Sequence, residues 1–310
     1  MSGRIQTLKR WIRMLRGDSV FHMRQSAGLY YDKKYVSGYY SDLRHKVTGD
    51  VLLDDNGVVY NVTNLGDTVY FAITIFQYGL GAYDLFIETK EEGYLSKMMA
   101  SVKWAVENQQ ENGSWNAFGW EKPSSPYSSM AQSEGASLLC RAYQETKDSK
   151  YLNAAVKAIR FMLTPIEEGG VSIYGENSVT FEEKTDVKTI LNGMVFSIWG
   201  LWDVCQLFED AELKKILNVS IDTLVKILPK YDRGYWSNYD LDGHICSPFY
   251  HDLHIEQLKV MYDLFGREEF KDRQKKWERY NASGLKRKLA FGVKGVQKLR
   301  TIDTTLSLVK

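Results

Sequence analysis

The chain holds little proline, 5 in 310 residues, and little cysteine, 3 in all. Scarce proline removes the strongest helix breaker and leaves room for long helices. Cys140, Cys205 and Cys246 are too few for a disulfide framework. Cys140 and Cys205 sit in apolar helical runs and read as small core residues. No Cys/His spacing matches a zinc site. No apolar run reaches the roughly 18 residues that a membrane helix needs, and no signal-peptide apolar region is present. A formal net charge of +1 gives no bulk electrostatic case for nucleic acid. Without a secretion signal, the acceptor triplets at Asn61, Asn218 and Asn281 read as chance, and a cytoplasmic location is expected.

Aromatics are plentiful, with 20 Tyr and 8 Trp, and hydrophobic residues make up 44% of the chain, enough for a sizeable core. Such composition fits sugar stacking on aromatic faces and fits an aromatic-rich core equally well. Residues 1–17 carry Arg4, Lys9, Arg10, Arg13 and Arg16, with Ile5, Leu8, Ile12 and Leu15 at helical spacing. This basic amphipathic helix reads either as a peripheral foot on anionic lipid or as a helix packed on its own domain. Residues 18–66 form a Tyr-rich region in which Asn56-Gly57, between apolar runs, predicts a small β-hairpin near Val47–Val62. A basic tail spans 282–310.

Between 67 and 281 a unit repeats every 55–65 residues: helix, short turn, helix, Gly with an apolar residue, long loop. Helices are predicted at Thr68–Phe86, Tyr94–Asn108, Ser128–Thr146, Tyr151–Leu163, Ile190–Phe208, Leu213–Leu228, Phe249–Phe265 and Glu268–Tyr280. The first helix of each pair is apolar nearly all round and belongs to an inner layer; the second is amphipathic and belongs outside. The short turns then lie at one end, and the loops 115–127, 171–189 and 236–249 at the other. The expected fold is mainly α, an incomplete α/α toroid of about four helix pairs with a long-loop rim, preceded by the small β-hairpin region. The stretch Leu228–Leu264 crowds tyrosines and three of the five histidines onto that rim.

A set of short segments falls in consistent order. They are Phe76-Gln-Tyr-Gly-Leu80, Trp104-Ala-Val-Glu-Asn-Gln109, Gly113-Ser-Trp115, Tyr127-Ser-Ser-Met-Ala-Gln132 and Arg141-Ala-Tyr143 with Thr146-Lys-Asp148. Then follow Leu191-Asn-Gly193, Leu228-Pro-Lys-Tyr-Asp232, Tyr239-Asp-Leu241, and Tyr250-His251 with His254-Ile255 and Gln257-Leu258. In these the chain resembles the D-glucuronyl C5-epimerase family, through its C-terminal α/α domain, from about residue 67 to 280. The resemblance implies conversion of D-glucuronic acid to L-iduronic acid within a polysaccharide such as heparan sulfate. Two departures stand out. The β-sandwich that animal members carry after the Gln-Tyr-Gly-Leu segment is missing. The family's Glu-Glu-Tyr appears as Glu182-Glu183-Lys184 with a shorter spacer, and the Arg that follows Tyr-Asp-Leu in the family is Asp242.

Epimerisation at C5 removes a weakly acidic proton α to a carboxylate and returns one to the opposite face. It needs an acid/base on each side and a cation or donors for the carboxylate, but no metal or cofactor. A tyrosine serves as base if a nearby cation lowers its pKa. On the resemblance, Tyr250 and Glu183 are the two acid/bases, and Tyr239 holds the carboxylate or relays the proton. His251, His254, Tyr127, Gln132 and Tyr78 are candidate substrate contacts, with Lys184 and Arg233 as carboxylate clamps. Each has a plainer reading: Tyr239 and Tyr250 as buried, backbone-bonded tyrosines, the histidines as caps, Glu182 and Glu183 as solvated acids, Tyr127 and Gln132 as core. Trp115 reads as a wedge between helix pairs. The partner is a glucuronate-containing polysaccharide. A homodimer and a peripheral membrane contact are further expectations. A lyase on the same scaffold, or a polysaccharide-binding protein without catalysis, are the alternatives.

Overall fold

The computed structural model describes residues 25–300 and 307–308. Eight helices run as four pairs: α1 (Ala72–Thr89) with α2 (Glu92–Asn108), α3 (Ser129–Thr146) with α4 (Ser149–Met162), α5 (Leu191–Leu207) with α6 (Ala211–Ile227), and α7 (Pro248–Phe265) with α8 (Glu268–Asn281). Their ends follow local chemistry. Ser128, Asp148, Asp210 and Ser247 each accept a backbone N–H of the following first turn. Lys90, Lys147 and Gly266 stop α1, α3 and α7 in the left-handed conformation. The sequence predicted α1 from Thr68, but Thr68 and Val69 pair with a strand instead, so the helix starts at Ala72.

That strand belongs to a three-stranded antiparallel sheet of β1 (Leu52–Leu53), β2 (Val59–Val62) and β3 (Thr68–Val69). Asp54 closes the β1–β2 turn by accepting the N–H groups of Asn56 and Val58, both at 2.9 Å. A second hairpin was not foreseen. β4 (Ser172–Gly175) and β5 (Ser178–Phe181) pair across a two-residue Glu176-Asn177 turn inside what the sequence left as a loop. Thr223 Oγ1 of α6 accepts the N–H of Val179 and fixes the hairpin.

The odd-numbered helices pack in succession, α1 on α3, α3 on α5 and α5 on α7. Every residue of α5 from Leu191 to Leu201 is buried. The α3–α5 approach is close enough that a Cβ at Gly200 would stand 2.4 Å from the Ser133 carbonyl oxygen, which excludes any side chain there. The even-numbered helices bury one face, as Leu213, Leu217, Ile221 and Leu224 of α6 show.

Residues 25–48 run across the C-terminal ends of the inner helices and join α7 to α1. Ala27 donates its N–H to Glu256 and Tyr31 its hydroxyl to Asp263, both on α7. Tyr39 donates its N–H to Asp84, and Arg44 pairs with Glu88, both on α1. At the centre, Arg141 of α3 and Asp203 of α5 form an ion pair at 2.7 Å, fully buried. Tyr40 donates to Asp203, Arg141 donates to the Gly38 carbonyl, and its guanidinium lies over the rings of Tyr39 and Tyr40. Removing one member of such a pair strands the other in low dielectric, at about 3–5 kcal/mol. A ninth helix, α9 (Gly284–Arg300), follows α8, and Gln297 on it holds the Gly243–Ile245 loop. The amphipathic helix expected at 1–17 lies outside the described residues.

Candidate functional site

The chain leaves β5 at Phe181 and delivers two adjacent glutamates to the N-terminal end of α5. Glu182 turns inward. Its Oε1 accepts from Thr180 and Thr189, its backbone carbonyl accepts the Ser129 N–H, and it is 1% exposed. Glu183 turns the other way, over the first turn of α5. Asn192 Nδ2 donates to its Oε2 at 3.2 Å. A Cβ on Gly193 would meet that oxygen at 2.7 Å, so the glycine of Leu-Asn-Gly is the space in which Glu183 lies. Burial pushes its carboxyl up to about 7, while the Lys184 charge and the Asn192 hydrogen bond pull it back. At neutral pH the group is poised between acid and base.

Tyr239, on the loop after α6, and Tyr250, in the first turn of α7, meet edge to face with ring centroids 4.7 Å apart. Their hydroxyls are hydrogen-bonded, and burial followed by the negative charge of Glu183 raises both phenols above their usual range. The expected lowering of a tyrosine pKa by a neighbouring cation is therefore corrected. Both remain neutral phenols at pH 7, fit to donate a proton rather than to start as phenolates. The ammonium of Lys294 on α9 stands 5.9 Å from the Tyr239 ring centroid.

Two further groups belong here. Glu134 of α3 is fully buried; Gln77 of α1 donates to its Oε1 at 2.9 Å, and its Oε2 has no protein donor among the described residues. Burial pushes it up to about 8, with Gln77 and Lys46 pulling down and Glu183 pushing further up. Lys46, in the single helical turn His45–Thr48, is brought down to about 8 by burial, against the attraction of Glu134. It forms no ion pair among the described residues. Lys46, Tyr239 and Tyr250 are half-buried and keep accessible surface. Charge coupling links Lys46 to Glu134, Glu134 to Glu183, and Glu183 to both tyrosines. Tyr39, stacked on Phe196 at the inner end, is coupled to Glu134 as well.

The remaining sequence candidates lie elsewhere or are already engaged. Gln132 clamps Trp115, its Oε1 accepting the Trp115 N–H and its Nε2 donating to the Trp115 carbonyl, each at 3.2 Å; it is fully buried and is corrected from sugar contact to internal brace. Trp115 is the expected wedge, donating to Ala105 and edge-on to Phe76 at 4.9 Å. His251 is corrected likewise. It stacks on Trp236 at 3.7 Å, shares a hydrogen bond with Ser237 at 2.7 Å and is held neutral by burial, down to about 3. His254 is fully buried beside Cys246 and Trp277 and stays neutral, leaving no surface for a sugar. Arg233 braces its own loop through Asn238 and Gly243. Lys184 pairs with Glu121 at 3.0 Å and lies over Phe118, so its ammonium is committed to the 116–127 loop. Tyr127 donates to Gln110 and packs on Phe161 of α4. Tyr78 is 1% exposed, on α1 beside Gln77.

The family described as D-glucuronyl C5-epimerase C-terminus matches residues 96–279. A D-glucuronyl C5-epimerase of Caenorhabditis elegans is 28% identical over 56% of this chain and 33% of its own length. An uncharacterised protein of Methanocaldococcus jannaschii is 31% identical over 48% of this chain and 50% of its own. The chain thus spans a third to a half of the curated relatives it matches. Among solved structures, a glycoside hydrolase family 76 mannosidase of Bacteroides thetaiotaomicron aligns at TM-score 0.44 and 12% identity, over 66% of this chain and 57% of that one. That score lies below 0.5, so the helix-pair architecture rests on the packing described above. The family match begins within α2, so Glu134, Glu183, Tyr239 and Tyr250 fall inside it, and Lys46 and Gln77 upstream of it. With the match covering more than half of its residues, the chain belongs to the D-glucuronyl C5-epimerase C-terminus family.

Proposed function

We propose that the protein is a uronate C5-epimerase that converts D-glucuronic to L-iduronic acid residues in a polysaccharide. In this reading the four helix pairs make an incomplete α/α toroid, with residues 25–48 in the interval between α7 and α1. The observation that carries it is Glu183, poised at about 7, in charge contact with a neutral Tyr239–Tyr250 pair. The Glu183 carboxylate takes the C5 hydrogen as a proton. The C–H electron pair moves into the substrate carboxylate, giving an enediolate. The Lys46 ammonium neutralises the charge that develops there, the role sequence reading assigned to Lys184 or Arg233. Tyr250 returns a proton to the other face of C5, and Tyr239, bonded to it, relays a replacement. An incoming carboxylate raises the Lys46 pKa, so the clamp is charged when the substrate is bound.

Incubation with heparosan, a glucuronate polymer, in deuterated water tests this. Deuterium at C5 together with new iduronate is the expected result. An unsaturated uronate in its place means a lyase. New reducing ends mean a hydrolase using Glu134 and Glu183 as its carboxylate pair. Binding to several glucuronate polymers with no exchange at all leaves the non-catalytic reading.

A further inference from the structure

Helix α9 has no role in the chemistry above, and its composition is lopsided. Between Gly284 and Arg300 stand Lys286, Arg287, Lys288, Lys294, Lys298 and Arg300, and not one acid. Its inner side is settled: Ala290 is buried, Lys286 lies over Tyr280, Lys294 over Tyr239, and Gln297 bonds the 243–245 loop. The outer side is apolar. Leu285, Leu289 and Val296 are 79%, 50% and 50% exposed, and Gly292 between them has no atom within 4 Å of where a Cβ would be. Spacings of three and four place these positions on one stripe. Lys288, also exposed, flanks it.

We propose that this face of α9 docks on an anionic phospholipid bilayer. The charge pattern selects the occupant. A second copy would set one acid-free basic helix against another. The segment 1–17, with five cations and no acid, would do the same. The counterpart must therefore be anionic. An acidic polysaccharide is anionic but hydrated, and gives three exposed aliphatic side chains nothing to bury against. A bilayer surface supplies both the negative headgroups and the apolar layer beneath them. Among the described residues no helix is long and apolar enough to cross a membrane, so contact through α9 would be peripheral. The orientation has a corollary. Lys294 and Gln297 tie α9 to the Tyr239 loop, so the bilayer would lie beside the rim that admits substrate.

The test is flotation of the full chain with vesicles of phosphatidylcholine, with and without phosphatidylglycerol. The chain is expected to float with the anionic vesicles, to stay down with the neutral ones, and to be released by salt. Leu285→Ser with Leu289→Ser, and separately Lys288→Glu, should each weaken partition at least tenfold while the unfolding midpoint holds. A separate Leu289→Trp variant should show a blue-shifted emission that brominated phosphatidylglycerol quenches. Undiminished flotation of both variants overturns the proposal and moves the contact to another segment. Three other results overturn it too: an emission from the Leu289→Trp variant that vesicles leave unshifted, a lipid-free dimer that the leucine variant dissolves, or heparosan binding through Lys288 without vesicle binding.

Discussion

Replacing Glu183 by Gln should stabilise the fold while abolishing exchange, and the stabilisation should depend on pH in one direction only. The folded-state pKa is raised from 4.5 to about 7. A raised carboxyl contributes most below its unfolded pKa, and that contribution is lost as pH rises through the folded value. At 1.36 kcal/mol per unit, the ionised group at pH 8.5 costs the fold about 3 kcal/mol, with little discount because the residue is only 8% exposed. Glutamine has nearly the same shape and still accepts from Asn192. The variant should therefore gain roughly 4 °C in unfolding midpoint at pH 8.5 and close to nothing at pH 4, where wild-type Glu183 is protonated in both states. Deuterium exchange at C5 of heparosan should fall by about 10²–10⁴ at every pH. Thermal unfolding by circular dichroism at the two pH values, beside the exchange assay, reads both. An equal midpoint shift at both pH values, or exchange within tenfold of wild type, refutes the assignment of Glu183 as a buried base.

Lys46→Met should lower kcat/KM for heparosan by about 10²–10³ with the fold intact; a loss under threefold retires Lys46 as the carboxylate clamp. The kcat/KM for exchange, which reports the free enzyme, should rise with pH through about 7 as Glu183 ionises and decline above about 8 as Lys46 loses its proton, and a flat profile from pH 6 to 9 contradicts both roles. Gly193→Ala drives a methyl group into the Glu183 carboxylate and should reduce exchange at least tenfold with an unchanged circular dichroism spectrum; full activity would mean that Glu183 need not lie over α5. Gln132→Leu leaves the Trp115 N–H and carbonyl unsatisfied and should cost about 2–4 kcal/mol in urea unfolding, the folded fraction keeping its activity; a raised KM at unchanged stability would return Gln132 to the substrate.

Helices were legible in the sequence because their signals are local. The Ser128, Asp210 and Ser247 caps, the apolar run from Leu191 and the turns at Lys147 and Gly266 all act within a few residues. The β4–β5 hairpin was not, because four-residue strands with a polar turn look like loop until Thr223 and Glu182 hold them. Tyr239, Tyr250 and Glu183 came from motif resemblance. What no local pattern reports is which way a side chain faces. Glu182 and Glu183 are adjacent and interchangeable on paper, yet only Glu183 acts on both Tyr239 and Tyr250, while Glu182 is spent on Thr180 and Thr189. His251 and Gln132 look polar and are spent on internal contacts. Lys46 stands in an ordinary Arg44-His-Lys46 run, and only the crossing of residues 25–48 brings it to Glu134. A faint signal did exist: Glu134 and Arg141 are the two charged residues in the buried Ser129–Ala142 stretch of an inner helix.

The crossing also sets an order of events during synthesis. Ala27 bonds a residue 229 positions downstream, and Tyr40 one 163 downstream. At roughly 5–20 residues per second, the segment that leaves the ribosome early must wait on the order of ten to fifty seconds for α5 and α7 to appear. It is made before its partners and is seated only after them. Until then Arg141 and Asp203 have no lid, Lys46 has no address beside Glu134, and the helix pairs stand without the cation proposed as the carboxylate clamp. A chain that stops short of α7 therefore lacks the partners that hold residues 25–48 in place.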